Sequence, residues 1–483
     1  MTAFVDAAAP SRAAMPGRGA AAWLALACLI AAGATGWSTH AHAQTARGKA
    51  GPKAPPVYAS YTTHEGDTLY DIAARYMADP TDWALLSNLN HVPAPRRMPA
   101  GIALRLPASR LRQDRDTARV VATSGPVEHA FDSNPYLPLK TGATLGEGDR
   151  LRTGANGFAT LELADGSYVT VAQNGELNIE KLRHVTLTGV ADRIFELRRG
   201  EVESQVTHAT RRDDRFQIRS PSVVAGVRGT RFRVDYDGGA QTTAVDVLDG
   251  AVGVDPLTQR GQRAVPMPGV PLQASEQLLN ASFGNVTRSG GAVGSPVQLL
   301  PAPALARPAR VQDGKTVAFD VNPAEHAAGY RLQISHDADQ LDLVRDLRVS
   351  ETHADFGDLP DGTYFVRVAS TDRNGLDGLP NVYAFERRQL GLDASAAQRA
   401  GSRDYEFRWF VSHSNVPTRF RFVLAKTADL GQPVIDRTDL PGGELVISDL
   451  PPGVYYWTIV AEQFDNGRFY EKSSPVRSFT LAR

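Results

Sequence analysis

The sequence predicts a mainly β protein of several domains, with one small helical module near its N-terminus. From Val120 onward, short runs of alternating apolar and polar residues are separated by Asp-Gly and Gly-Gly turns, which is typical of antiparallel strands. Residues 58–107 instead carry apolar residues at helical spacing between two short strand-like runs. The chain has 483 residues, enough for several domains of roughly 100–200 residues each. We therefore expect a small βααβ module, an all-β domain and two β-sandwiches.

Residues 1–43 are predicted to be a signal peptide. A segment with two arginines precedes the apolar stretch of residues 20–36, and Ala41 and Ala43 occupy the small-residue positions before a cut at Gln44. The apolar stretch is near the lower limit of about 17 residues for a membrane span, so an anchor that is never cleaved is the open alternative. We expect export to the periplasm or cell envelope, and no transmembrane helix in the mature chain.

Composition excludes several classes of site. Cys28 is the only cysteine and lies inside the predicted signal peptide, so the mature chain is expected to have no disulfide and no thiolate metal site. The formal net charge of −1 gives no overall attraction to nucleic acid. The sequence has no Gly-x-Ser-x-Gly, His-Glu-x-x-His or P-loop motif, so we expect no enzyme activity, no metal and no cofactor.

The small module begins with the strand Tyr58–Thr62, and two helices are predicted to follow. Thr68 is expected to cap the first helix, with Asp71 three residues later completing a capping box. The apolar residues of this helix fall at i, i+3, i+4 and i+7 and form one stripe: Leu69, Ile72, Ala73 and Tyr76. An Asp-Pro pair at residues 79–80 begins the second helix, and residues 102–106 form the second strand.

This module resembles a LysM domain over its whole length. The matching residues are Tyr61-Thr62, Gly66-Asp67-Thr68-Leu69, Ile72-Ala73, Tyr76, Trp83, Leu86, Asn90, Gly101, Leu104 and Leu106-Pro107. The chain departs from the family pattern at Thr63 and in the proline-rich loop of residues 90–99. LysM domains bind glycans that contain N-acetylglucosamine, chiefly peptidoglycan and chitin. The resemblance implies a groove between two loops, formed by Gly66, Asp67, Thr68, Leu69, Asn90, His91, Val92 and Pro93.

The same residues also have a purely structural interpretation. Thr68 with Asp71 can serve only to cap a helix, and Gly66 only to make a turn. Both roles are compatible, because the cap fixes the turn that presents the backbone to a sugar. Leu69 or Val92 is expected to cover the methyl of an acetamido group, and a single shallow groove predicts weak affinity.

Residues 118–256 predict an all-β domain that resembles the FecR domain. The resemblance is carried by spaced motifs in the family's order: Gly148-Asp149, Leu151, Gly154, residues 163–171, Arg199-Gly200, Phe216, Pro221, Val227-Arg228-Gly229-Thr230 and Phe232. It implies stacked β-hairpins. FecR proteins of the iron-uptake type relay a signal in the cell envelope, so a periplasmic sensor or regulator is the alternative function of this chain.

One hairpin register follows from the apolar pattern. Leu161 and Leu163 share a face with Val169 and Val171 only when the connecting loop has an odd number of residues, because a slip by one residue exchanges the two faces. We therefore predict a loop of three or five residues that pairs Leu163 with Val169.

A group of arginines in this domain raises the question of an anionic partner. Its members are Arg211, Arg212, Arg215, Arg219, Arg228, Arg231 and Arg233. Acids interleave with them and no aromatic ladder accompanies them, so we predict a solvated strand face and no nucleic-acid site. The interleaved acids are Asp213, Asp214, Asp235 and Asp237.

The C-terminal region contains a repeat that predicts two sandwiches. Leu359 and Leu450 begin the matching segments LPDGTYFVRVAS and LPPGVYYWTIVA, 91 residues apart. Alternation assigns one face of each segment to a core: Tyr364, Val366 and Val368 in the first copy, and Tyr455, Trp457 and Ile459 in the second. The Leu-Pro-x-Gly-x-Tyr motif resembles the corner of fibronectin type III domains, where the tyrosine hydroxyl bonds to the backbone just upstream.

We expect a non-catalytic envelope protein that binds peptidoglycan or another N-acetylglucosamine glycan through its LysM-like module. The β domains are expected to act as scaffold or to bind envelope proteins. The predicted boundaries are a signal peptide at 1–43, a linker at 44–56, the LysM-like module at 57–108, the FecR-like domain at 118–256, a Pro/Gly-rich linker at 257–308, and fibronectin III-like sandwiches at 309–388 and 389–483.

Overall fold

The structure is a computed structural model and describes residues 57–208, 211, 213–227, 229–257, 275–308, 311–412, 414, 416–465 and 467–482. All of them belong to one compact unit of the chain. Strands dominate, which confirms the predicted mainly β fold class. The predicted signal peptide and first linker lie outside the described residues. Within the described ranges, no helix combines the length and the apolar character needed to cross a membrane.

The N-terminal module is a two-stranded antiparallel sheet covered by two helices. Its elements are β1 (Tyr58–Thr62), α1 (Leu69–Tyr76), a 3-10 turn (Pro80–Asp82), α2 (Trp83–Asn90) and β2 (Ala103–Pro107). Leu69, Ile72 and Ala73 are buried, as the apolar stripe predicts. Asp79 accepts a hydrogen bond from the Thr81 backbone N–H and so caps the 3-10 turn, which delays the start of α2 to Trp83.

The next eighteen strands close into one barrel. They are β3 (Gln113–Arg115), β4 (Thr117–Ser124), β5 (Val127–Phe131), β6 (Leu137–Pro138), β7 (Thr144–Gly146), β8 (Asp149–Thr153), β9 (Phe158–Leu163), β10 (Tyr168–Val171), β11 (Glu176–Val185), β12 (Ala191–Gln205), β13 (Arg215–Arg219), β14 (Val223–Val227), β15 (Arg231–Asp237), β16 (Thr242–Asp249), β17 (Ala251–Pro256), β18 (Gln277–Asn280), β19 (Phe283–Arg288) and β20 (Val297–Gln298).

The segment predicted as a second linker contributes three of these strands. β18 pairs with β17, β19 pairs with β16, and Leu279 is fully buried in the barrel core. Glycine, proline and serine are abundant around these strands, and this composition masks their short apolar alternation. The structure therefore corrects the prediction of a Pro/Gly-rich linker at 257–308, because residues 277–298 contain barrel strands, whereas residues 258–274 lie outside the described residues.

The predicted hairpin has an odd loop. The Leu163 N–H donates to the Ser167 carbonyl over 2.8 Å, which leaves three loop residues. Val169 pairs with Leu161, however, and not with Leu163 as predicted. The loop has an odd number of residues in both registers. The same four side chains therefore face the core: Leu161, Leu163, Val169 and Val171.

The C-terminal strands form two sandwiches. The first contains β21 (Val311–Gln312), β22 (Ala318–Asp320), β23 (Gly329–Ser335), β24 (Leu343–Val349), β25 (His353–Asp355), β26 (Gly362–Thr371) and β27 (Asn381–Arg387). The second contains β28 (Gly391–Gln398), β29 (Tyr405–Ser412), β30 (Thr418–Ala425), β31 (Pro433–Leu440), β32 (Glu444–Ile447), β33 (Gly453–Asp465), β34 (Arg468–Ser473) and β35 (Arg477–Leu481).

Both sandwiches contain the predicted tyrosine corner. The hydroxyl of Tyr364 donates to the Pro360 carbonyl over 3.0 Å, and that of Tyr455 donates to the Pro451 carbonyl over 2.8 Å. All six residues assigned to the core faces of the repeat are buried. The repeated motif thus fixes the same corner twice.

We expect Tyr455→Phe to lower the free energy of unfolding of the second sandwich by about 1–2 kcal/mol, because it leaves the Pro451 carbonyl without its partner. Urea unfolding, followed by the fluorescence of the buried Trp457, measures this loss. Tyr456→Phe is the matched control, since Tyr456 alternates to the half-buried face. Equal losses in the two variants would contradict the role of the corner.

The barrel and the first sandwich meet through buried charges. Arg331 Nη1 on β23 lies 2.6 Å from Glu201 on β12 of the barrel and 2.8 Å from Asp377. Arg367 on β26 forms a bidentate pair with Glu203, at 2.9 and 2.6 Å. The two arginine side chains are only 2% and 3% exposed, so the ion pairs are desolvated.

The structure corrects the prediction of a solvated arginine face. Arg215, Arg219 and Arg233 are nearly buried, with 6%, 10% and 2% of their side chains exposed. Arg212 and Arg228 lie outside the described residues. Ion pairs join Arg215 to Asp192, Arg219 to Glu180 and Arg231 to Glu203, and Arg233 lies 3.7 Å from Asp246 and 3.6 Å from Asp377. Arg233 is buried because the first sandwich covers it at Asp377. Arg215 and Arg219 are buried because neighbouring strands supply their acids.

Candidate functional site

The two predicted loops meet at the start of α1. The backbone N–H of Leu69 donates to the carbonyl of Pro95 over 2.9 Å, which joins the turn before α1 to the loop after α2. Thr63 ties the end of the same loop to β1: its hydroxyl donates to the Pro99 carbonyl at 2.7 Å and accepts from the Ile102 N–H at 2.9 Å. Neither Pro95 nor Thr63 is among the predicted site residues.

Thr63 explains the departure from the family pattern. Its side chain is 2% exposed and satisfies two backbone groups of the loop, which a β-branched apolar residue cannot do. The sequence signals this role of Thr63 by a polar residue at a position where an apolar residue is usual. The proline-rich loop is therefore held by the side chain of Thr63, directly after β1.

Gly66 presents backbone at the rim of the junction. Its φ of +86° lies in the left-handed region, and the position of a Cβ has no atom within 4 Å. Glycine adopts this conformation without strain, and the open space lets a ligand approach the main chain. Close approach of a ligand to Gly66 stays a prediction, which this geometry permits.

Asp67 stabilises the turn through hydrogen bonds to neighbouring residues. Its carboxylate accepts hydrogen bonds from the His64 N–H at 2.7 Å and from the Tyr61 hydroxyl at 2.8 Å. The His64 bond is the main cause that lowers the pKa of Asp67. Burial, with the Asp67 carboxylate, raises the pKa of Tyr61 to about 12. Asp67 is thus an ionised acceptor that holds the turn closed.

Thr68 caps α1 as predicted. Its hydroxyl accepts from the Asp71 N–H at 3.1 Å and donates to the Asp71 carboxylate at 2.6 Å. The capping box fixes the helix start, and with it the N–H of Leu69 that reaches the second loop. The structural interpretation of Thr68 is therefore correct.

Leu69 does not present its side chain to a ligand. The side chain is fully buried in the core of the module. The expectation that Leu69 covers an acetamido methyl is wrong, because the apolar stripe of α1 turns this residue inward. Val92, which is half-buried against the same core, remains the apolar candidate.

The second loop is built by the end of α2. The Asn90 side chain pairs with the main chain of Arg105 at 2.7 and 3.0 Å, so it extends the edge of β2 like an added strand. His91 has a φ of +54° and ends the helix, and its side chain is exposed. Ser87 holds the main chain of Val92 through bonds of 3.0 and 2.8 Å. Pro93 is exposed.

The predicted residues therefore divide by function. Asp67, Thr68, Leu69 and Asn90 build the two loops, whereas Gly66, His91, Val92 and Pro93 offer surface. The junction offers the exposed main chain of Gly66 and one half-buried aliphatic side chain, Val92. Such a surface suits an uncharged polar ligand that carries a small apolar group.

The barrel contacts the opposite end of α1. The Arg112 N–H donates to the Tyr76 carbonyl at 2.8 Å, and the Ala78 N–H donates to the Arg110 carbonyl at 2.8 Å. Val185, at the end of β11, joins the core of the module. Since an eight-residue helix is about 12 Å long, these contacts are separated from the loop junction by the length of α1. Among the described residues, no group of three His, Cys, Asp or Glu side chains could hold a metal ion.

Two family models match the chain. Residues 61–107 match the LysM domain, and residues 149–253 match the FecR protein. These matches confirm the two resemblances found in the sequence. No curated protein matches the chain.

Several solved structures are similar to parts of the chain. A Parabacteroides distasonis protein assigned as an anti-sigma factor is 17% identical, with a TM-score of 0.23, over 31% of this chain and 59% of that one. Fibronectin(III)-like modules of Clostridium thermocellum CbhA are 11% identical, with a TM-score of 0.20, over 35% of this chain and 90% of theirs. A two-domain fibronectin type III segment of chicken tenascin is 13% identical, with a TM-score of 0.20, over 37% and 99%.

Proposed function

We propose that the chain is a non-catalytic protein of the cell envelope that binds N-acetylglucosamine glycans of peptidoglycan. Binding takes place at the junction of residues 66–69 and 90–95. The supporting observation is the 2.9 Å hydrogen bond from Leu69 to Pro95, which brings the two loops together beside the exposed backbone of Gly66. The match of the module to the LysM domain supports the same ligand class.

In this proposal, the main chain of the two loops pairs with the acetamido group and Val92 covers its methyl. A single shallow contact gives modest affinity, because little area is buried to offset the loss of motional freedom. The barrel and sandwiches then serve as a scaffold that is exported with the module. The FecR match keeps an envelope regulator as the second candidate.

The double variant His91→Glu/Pro93→Glu tests the site. Both side chains are exposed, so the fold is retained, while two added charges must lose water when a sugar enters. We expect at least a ten-fold loss of affinity for an uncharged chitin oligosaccharide in calorimetry, and reduced sedimentation with purified peptidoglycan.

Ala74→Glu/Ala84→Glu is the matched control, because it adds two negative charges at exposed positions in the second half of α1 and the first turn of α2, away from the loops. Thr68 is a poor test residue, since its replacement also removes the helix cap. Unchanged binding by the loop variant would refute the site. Co-purification with a signalling partner, without wall binding, would favour the regulator.

A further inference from the structure

A cleft of about 570 Å³ lies beside β3, β11 and β13 of the barrel, away from the proposed glycan site. Ile194 forms part of its apolar lining, and the ring of Phe131, which is 53% exposed, forms a wall. The ring lies against Gly148, where a Cβ would come within 3.0 Å of a ring carbon. Gly148 belongs to the Gly-Asp motif of the sequence, so this motif shapes the cleft.

Strand register places three arginines in one row beside this cleft. Arg115 on β3 is paired with Arg183 on β11, Arg183 with Asp192 on β12, and Asp192 with Arg215 on β13. Neighbouring strands lie about 4.8 Å apart, so the row spans about 14 Å on one face of the sheet. Like charges in directly opposed positions destabilise a sheet unless anions accompany them.

The acids of the chain neutralise this row only in part. Arg183 forms a bidentate pair with Glu147, and Arg215 uses Nε and Nη2 on Asp192. The Nη1 atom of Arg215 is buried and has no hydrogen-bond partner among the described residues. Arg115 forms no ion pair with another described residue, and its charge acts on Glu147 from a distance.

The lining of the cleft carries one positive charge in excess. Its cations are Arg115, Lys181, Arg215 and Arg219, and its acids are Asp132, Glu147 and Glu180. A single anionic group balances this lining, whereas a dianion or a polyanion meets the three carboxylates at close range. The exposed ring of Phe131 beside the cations favours a ligand whose anionic group is attached to a small apolar body.

We propose that this cleft binds one carboxylate group carried by a short apolar residue, as at the C-terminus of a peptide. The guanidinium of Arg115 donates to the carboxylate, together with the ammonium of Lys181, which also pairs with Asp192 at 3.4 Å. Arg215 lines the same cleft, and its buried Nη1, which has no hydrogen-bond partner among the described residues, is a further donor. The apolar body of the ligand rests on the exposed ring of Phe131. Charge-assisted bonds of guanidinium to carboxylate give the site its orientation.

The test uses the purified full chain and N-acetyl-alanyl-alanine, titrated by calorimetry in low salt. The C-terminal amide of the same peptide is the control ligand, because it differs only in lacking the charge. We expect saturable binding in the millimolar range for the acid and at least five-fold weaker binding for the amide. Equal binding of acid and amide, or no saturable binding of the acid, would overturn the proposal.

Arg115→Gln tests the residue assignment. Arg115 is exposed, so the fold persists, and we expect at least a five-fold loss of peptide affinity with chitin binding unchanged. Arg119→Gln is the matched control, since Arg119 is an exposed barrel arginine paired with Glu162 and does not line the cleft. Unchanged peptide affinity in Arg115→Gln would refute the site without affecting the glycan proposal. The peptide is titrated with both residues in the D form and with both in the L form. Tighter binding of the D,D peptide identifies wall peptides as the source of the carboxylate, and tighter binding of the L,L peptide identifies protein C-termini.

Discussion

Arg331→Met is expected to destabilise the protein by about 3–5 kcal/mol. The guanidinium contacts three acids: Glu201, Asp346 and Asp377. Methionine preserves most of the volume but leaves these carboxylates buried without their shared cation. The loss therefore comes from charges that stay uncompensated, and only to a small degree from packing.

The midpoint of urea unfolding, followed by far-ultraviolet circular dichroism, measures this effect. Arg345→Met is the matched control, because Arg345 lies on the neighbouring strand β24, is half-buried and bonds only to the carbonyl of Val344 among the described residues. We expect the control to lose less than about 1 kcal/mol. If the two variants unfold at the same urea concentration, the ion pairs between the barrel and the first sandwich do not hold these domains together.

Lowering the pH from 8.5 to 5.5 is expected to stabilise the protein by about 3 kcal/mol, because Asp246 takes up a proton in the folded state. Burial and the nearby acids Asp377 and Glu201 raise the pKa of Asp246 to about 8, although Arg233 and Arg348 oppose the shift. An acid with a raised pKa contributes stability that is complete below its ordinary pKa and is lost as the pH rises through the folded value. One proton changes the free energy of unfolding by about 1.4 kcal/mol per pH unit.

The excess of acids between the barrel and the first sandwich explains why Asp246 takes up a proton. Five arginines meet six acids there: Arg231, Arg233, Arg331, Arg348 and Arg367 against Glu201, Glu203, Asp235, Asp246, Asp346 and Asp377. Burial raises the pKa of Asp235 to about 6, so this residue adds to the effect at lower pH. The pKa of Glu203 is held low chiefly by Arg367 against the cost of burial, so its contribution is lost only under strong acid.

Asp246→Asn isolates the contribution of this residue. The amide resembles the protonated acid in size and charge, so we expect stability close to that of the parent at pH 5.5 and greater stability than the parent at pH 8.5. Asp237→Asn is a suitable control, because Asp237 is exposed and bonds to the backbone of its own turn. A parent protein whose stability does not change between these two pH values would contradict the assignment.

Local patterns predicted local structure well. The cap at Thr68, the apolar stripe of α1 and the corner tyrosines depend on neighbours within a few residues, and all are present. The odd loop after Leu163 followed from alternation alone. Alternation does not identify the residue paired with Val169, because loops of three and of five residues both keep the apolar side chains on one face.

Features that depend on distant partners were missed. The carbonyl that meets Leu69 comes from Pro95, on a loop that no periodicity describes. Arg233 was predicted to be solvated, because its covering partner Asp377 lies in the following domain, 144 residues along the chain. The strands at 277–288 were hidden by the composition of their flanks. In each case, tertiary contact decides the outcome and the local sequence does not.

The sharing of Val185 between the end of β11 and the core of the N-terminal module has a mechanical consequence. A pull on the module enters the barrel through the chain itself at β3, and the packing of Val185 adds a second contact at the end of β11, a ten-residue strand. β3 is hydrogen-bonded to that end of β11, and β11 is hydrogen-bonded in turn to β12 and β8, so the load is shared by several strands. We therefore expect the joint to resist traction far better than a flexible tether of the same length.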